Sequence, residues 1–121
     1  MGELSLQMPG ITLAGQYRLE CSRVLYQGQP QKAEQFYLSG EIEYLCLRAR
    51  KTGDMLKRPN RPSKSVKRLM IDEKIPQHLR DVLPVLEIDG QVAAVAELGP
   101  DVAFLPGIGE ESWQIKVTSL F

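Results

Sequence analysis

Groups that do chemistry are scarce in this sequence. Among 121 residues there is one histidine, His78, and there are two cysteines, Cys21 and Cys46. The cysteines lack C-x-x-C spacing and sit in alternating apolar segments, so both are expected to be reduced core thiols. One histidine and two separated thiols fall short of the ligand sets that zinc requires, and no metal is expected. No G-x-x-x-x-G-K-[ST] phosphate loop, G-x-S-x-G elbow or nucleophile–base pair is present. The acid pairs Asp72-Glu73 and Glu110-Glu111 are adjacent in sequence, which does not place two carboxylates around one substrate. No catalytic residue and no cofactor are therefore expected in this chain. Apolar runs stay well short of the ~18 to 20 residues that span a bilayer, and Met1–Gly10 has neither the basic start nor the apolar region of a signal peptide. A cytoplasmic protein with no membrane partner is expected.

What the chain does have is charge, unevenly placed. Between Arg48 and Arg68 stand Arg48, Arg50, Lys51, Lys57, Arg58, Arg61, Lys64, Lys67 and Arg68, against the single acid Asp54. The stretch carries +8 and the rest of the chain −8, so a net charge of zero hides two opposed regions. Such a division suits a protein that keeps one surface for an anionic partner, phosphate above all. Pro59, Asn60 and Pro62 stiffen the stretch. These nine cations are the candidate binding residues, and the competing reading is a solvated loop and helix face.

Periodicity supplies the frame. Length and a 43% hydrophobic fraction suit one folded domain over 1–121. Leu4–Gly15 reads as a turn-rich lead-in or short edge strand. Gln16–Tyr26 alternates as a half-buried strand, with Tyr17, Leu19 and Cys21 on one face. Phe36–Leu38 adds a short strand after an exposed connection. Glu41–Lys51 reads as a central strand from whose end Arg48 and Arg50 emerge on one face. Prolines deny helix between Met55 and Pro62 and predict an extended arm or loop. Ser63 is placed to cap a helix to about Lys74, with Val66, Leu69 and Met70 facing inward, Lys64, Lys67 and Arg68 outward, and Ile71 an exception. Ile75, Leu79, Val82 and Leu83 predict a second helix with Pro76 in its first turn and Pro84 as its stop. Asp89-Gly90 between two apolar segments predicts a β-hairpin with a type I′ turn. Gly99-Pro100 and residues 106–109 read as loop, and Trp113, Ile115 and Val117 predict a closing strand. Tyr17, Tyr37 and Tyr44 are read as core or sheet residues, not base platforms. The order predicts an α+β domain, a mostly antiparallel sheet with two short helices packed against it.

The run from Lys64 to Gly90 resembles the C-terminal domain of bacterial tRNA(Ile)-lysidine synthetase. The likeness rests on a basic amphipathic helix with Val66, Lys67 and Leu69, then Ile75-Pro76, Arg80-Asp81, Pro84 and an apolar strand into Gly90. Upstream, Arg48 and Arg50 with Gly53-Asp54, and Pro9-Gly10 before them, look like that family too. Two places depart from it. Met55 follows the Gly-Asp pair where members often carry a basic residue, and Glu97, Leu98 and Gly99 stand where many have a Gly and an Arg. The family's Ser-Gly-Gly-x-Asp-Ser pyrophosphatase loop, which belongs to a separate N-terminal domain, has no match. The resemblance implies a tRNA-gripping fragment of an ATP-dependent ligase that attaches lysine to the wobble cytidine of an isoleucine tRNA. It further implies contact on the acceptor-stem side, ATP with Mg in the missing catalytic domain, and the enzyme's N-terminal domains as partners. An RNA helix is recognised largely through phosphates and 2′-hydroxyls, which well-placed cations suit. The alternative is a protein-interaction or interdomain docking module whose basic face meets an acidic protein surface.

Overall fold

Period-two alternation in the first and last thirds of the chain produces a four-stranded antiparallel sheet. In the computed structural model, which describes residues 2–120, its strands are β2 (Gly10–Ala14), β3 (Tyr17–Leu25), β4 (Gln35–Ser39) and β11 (Glu111–Ser119), in the order β2-β3-β11-β4. β3 and β11 pair along nine residues, setting Val117 against Leu19 and Ile115 against Cys21. Phe36 of β4 pairs with Ile115 from the other side. The inward side chains Tyr17, Leu19, Phe36, Leu38 and Ile115 are fully buried. Each aliphatic or Phe side chain among them contributes roughly 1.5–3 kcal/mol by leaving water.

A second antiparallel sheet holds β1 (Leu4–Ser5), β5 (Cys46–Arg48), β8 (Val85–Ile88), β9 (Gln91–Val95) and β10 (Gly99–Pro100), in the order β1-β5-β8-β9-β10. The β8–β9 hairpin turns at Asp89 and Gly90 with φ of 49° and 81°, the two positive angles a type I′ turn requires. The exposed Tyr44 hydroxyl donates to the Asp89 carboxylate across this turn. One hydrophobic core joins both sheets to the helices α1 (Val66–Asp72) and α2 (Gln77–Arg80). The architecture is α+β as expected, with the antiparallel strands divided between two sheets and a small ribbon.

Several boundaries differ from the sequence reading. Strand pairing covers only Cys46–Arg48 of the expected strand 41–51. Ile42 and Leu45 are both buried while Glu43 and Tyr44 are exposed, a spacing of three that no strand can satisfy. Backbone N–H of Ile42 donates to Ser39, and the Trp113 indole N–H donates to the Ile42 carbonyl, holding this stretch as a turn. Ser65, not Ser63, caps α1, its hydroxyl accepting from Arg68 N–H at 3.1 Å. The helix cannot begin earlier because β7 (Lys64–Ser65) pairs with β6 (Met55–Leu56). α2 is a single turn, and Pro76 occupies its cap position. Gly99-Pro100 pairs with β9 instead of looping free. Cys21 and Cys46 are free thiols, and burial pushes the Cys21 pKa up to about 12.

Candidate nucleic-acid interface

The β6–β7 ribbon organises the basic stretch. By pairing Leu56 with Lys64 it clips together the ends of residues 57–63, so the expected arm is a closed loop. Asn60 at φ 61° makes its turn, Arg61 N–H donates to the Arg58 carbonyl, and the Lys57 ammonium donates to the Arg61 carbonyl at 3.1 Å. Val66 N–H donates to the Asp54 carbonyl, tying the start of α1 to the turn after β5. All nine candidate cations therefore hang on neighbouring elements.

They do not share one environment. Arg48 is only 3% exposed, and its guanidinium meets Asp54 with two parallel bonds of 2.9 and 3.0 Å and Glu87 through Nε at 2.6 Å. Its pKa rises above the usual arginine value, through the Asp54 hydrogen bonds first, which outweigh the opposing effect of burial. Burial would raise the Asp54 carboxyl, but the bonds from Arg48 and Lys51 N–H hold it below the usual range. The expectation that Arg48 and Arg50 emerge together from a strand end is thus corrected: β5 ends at Arg48, which Asp54 and Glu87 enclose, and Arg50 lies beyond the strand. Arg50 pairs with exposed Asp81 at 3.1 Å. Arg58 is largely covered and pairs with Glu73 at 3.1 Å, which Arg61 approaches at 3.7 Å while staying exposed. Lys64 and Arg68 share Asp72, at 3.2 and 3.0 Å. Lys51, Lys57 and Lys67 are exposed, and among the described residues none of them forms an ion pair.

Carboxylates from outside the basic stretch have thus come to it by folding. Among the described residues, Asp72, Glu73, Asp81 and Glu87, with Asp54 from within the stretch, pair with six of the nine cations, Arg58 and Arg61 sharing Glu73. The sequence reading missed this neutralisation, although Arg68 and Asp72 stand at i and i+4 on α1, where such pairs are common. The cations still exceed the acids around them. Arg50, Lys51, Thr52, Gly53, Ser65 and Lys67, together with Asp54, line a groove of about 330 Å³. A smaller hollow of about 140 Å³ continues it past Arg50 and Lys67 to Arg80. Arg80 donates through Nε to the Ile75 carbonyl at 2.9 Å, so it braces the start of α2 as well as lining that hollow. Among the described residues, Nε of Arg50 and of Arg58 is buried with no partner.

As for metals, the described residues bring Glu3, Cys46 and Glu87 together with their ligand atoms within 4.8 Å of one another. Glu87 is already committed to Arg48, and burial raises the Cys46 thiol pKa, followed by the neighbouring Glu3 and Glu87 charges. This is a poor set for capturing a cation. Among the described residues, no helix is long and apolar enough to cross a membrane.

Comparison with known proteins agrees with this architecture. A family model described as the TilS substrate C-terminal domain matches residues 45–117, which include β5, the ribbon, both helices and the hairpin. A solved structure described as the crystal structure of a TilS C-terminal domain superposes with a TM-score of 0.78 over 98% of this chain and 98% of that one, at 18% identity. No curated protein matches the chain by sequence. Most of the chain, including the whole basic stretch, lies within the family match, and this protein belongs to the TilS substrate C-terminal domain family, the C-terminal domains of tRNA(Ile)-lysidine synthetase.

Proposed function

We propose that this domain grips tRNA without performing chemistry, serving a ligase that attaches lysine to the wobble cytidine of an isoleucine tRNA. The observation that carries the reading is the groove of Arg50, Lys51 and Lys67, with the Ser65 and Thr52 hydroxyls beside it, continued by exposed Arg61, Lys64 and Arg68 on the ribbon and α1. Spread along a rigid ribbon and a capped helix, these donors suit the phosphates and 2′-hydroxyls of an RNA helix. Arg48 stays out of contact and holds the turn that presents Lys51. ATP and Mg belong, on this reading, to the enzyme's catalytic domain, and the acceptor-stem side is the part of the tRNA held.

Incubation of the domain with ATP, lysine and the isoleucine tRNA should give binding but no AMP above background. Competition separates the RNA reading from docking on acidic protein. RNA duplex should displace labelled tRNA, while polyglutamate of equal charge should displace it far less. Equal displacement by both would leave only a general affinity for anions, and AMP production would end the non-catalytic assignment.

A further inference from the structure

A cavity of about 520 Å³ lies apart from the groove beside α1. It lies between residues 26–33, the basic loop at Arg58–Arg61, and the segment that follows β9. Leu98, Pro100 and Leu105 give it an apolar wall, and Tyr26 stands at its edge. Tyr26 is held in place: its hydroxyl donates to the Gln29 carbonyl at 2.9 Å, and its ring lies 5.3 Å from that of Tyr37, tilted by 48°. The facing loop is held too, since the Gln31 side chain bonds both the N–H and the carbonyl of Tyr37, and Lys32 N–H donates to Gln35. Exposed Lys32 and Arg61 supply positive charge, as does Arg58, whose Nε is buried and has no partner among the described residues.

Such a cleft has the size of a small-molecule site. It is too narrow for a duplex, whose bases are stacked and paired. An apolar wall with an aromatic ring and cations at the rim matches the two halves of a nucleotide, a flat base and a phosphate. Continuity with the basic surface argues for a nucleotide attached to RNA, because Arg58 and Arg61 also line a small hollow reaching Lys64 and Leu69. We propose that this cleft takes one unpaired nucleotide of the bound RNA, its base against Tyr26, Leu98, Pro100 and Leu105 and its phosphate on Arg61 and Lys32. The proposal rests on the RNA-binding reading and names a second point of contact for it.

The test compares a blunt RNA duplex of roughly 16 base pairs with the same duplex bearing a short single-stranded 3′ tail that contains 2-aminopurine. The tail should tighten binding to the 121-residue chain about tenfold, the gain expected from one stacked base, and quench the 2-aminopurine. Ala33→Trp, which fills the cleft, should abolish the gain and leave blunt-duplex affinity unchanged, which also reports that the variant is folded. Lys32→Glu, at an exposed position, provides the second variant and should cut the gain several-fold. Equal affinity for the two RNAs overturns the proposal and leaves the RNA-gripping reading standing. Failure to bind either RNA overturns both. If AMP alone bound as tightly as the tail, the cleft would be a site for free nucleotide, and the assignment to RNA would fall.

Discussion

At Arg48 a guanidinium inside a sheet meets two carboxylates with every geometric advantage, a parallel pair of bonds to Asp54 and a short one from Nε to Glu87. Two residues on, Arg50 pairs with the exposed Asp81. The same side chain is structural at one position and available at the other, because Asp54 and Glu87 converge on one and not on the other. Removing one partner of a buried pair leaves the other charge unpaired, so Arg48→Ala should cost about 3–5 kcal/mol in urea unfolding. Loss of RNA binding by a variant of undiminished stability would reverse its role. The Asp54 carboxyl adds a pH signature. Its folded pKa lies below the unfolded value of 3.8, so its stabilisation is complete above that value and lost as pH falls through the folded one. The unfolding midpoint should hold from neutrality to about pH 5 and fall below about pH 4, with a shallower fall in Asp54→Asn. On the alkaline side Cys21 acts in the opposite sense. Its raised pKa gives stability that is whole below 9.0 and drains away toward about 12.

At the scale of elements, the hairpin and α1 were legible and the strand at 41–51 was not. Asp-Gly specifies a turn through its own backbone angles, and Val66, Leu69 and Met70 define a buried helix face whatever lies opposite. The middle of the stretch, Tyr44 to Leu47, reads as apolar on both sides, and the Trp113 bond to Ile42 and the pairing of β5 decide where strand begins. The site was half legible for the same reason. Cations can be counted along the chain, but the acids that cover them, Glu73, Asp81 and Glu87, lie outside the stretch and arrive by folding. The ion pairs on α1 yield a prediction. Asp72 holds both Lys64 and Arg68 and opposes any phosphate nearby. Asp72→Asn should therefore tighten RNA binding several-fold at low salt and change stability by under about 1 kcal/mol, since exposed pairs contribute little. Weaker binding in a folded variant would mean that Asp72 positions its two cations and does not mask them. Ser65→Ala removes the α1 cap and should lower stability by about 1 kcal/mol, read from the thermal midpoint.

Over the whole molecule, a net charge of zero is compatible with strong attraction to RNA only if the cations stay on one side. The fold keeps them there by closing residues 57–63 with a two-strand ribbon and setting α1 beside it. If roughly five of the exposed cations meet phosphates together, each contact releases condensed counterions, and the logarithm of tRNA affinity should fall against the logarithm of salt with a slope of about −3 to −5. The decisive measurement is that slope for the wild-type domain and for Lys64→Ala/Lys67→Ala/Arg68→Ala, with thermal unfolding of both. The account predicts that the triple variant melts within a few degrees of wild type, because Val66, Leu69 and Met70 provide the packing, and that its slope is flatter by about two to three. A wild-type slope near zero, or an unchanged slope in the folded triple variant, would contradict it.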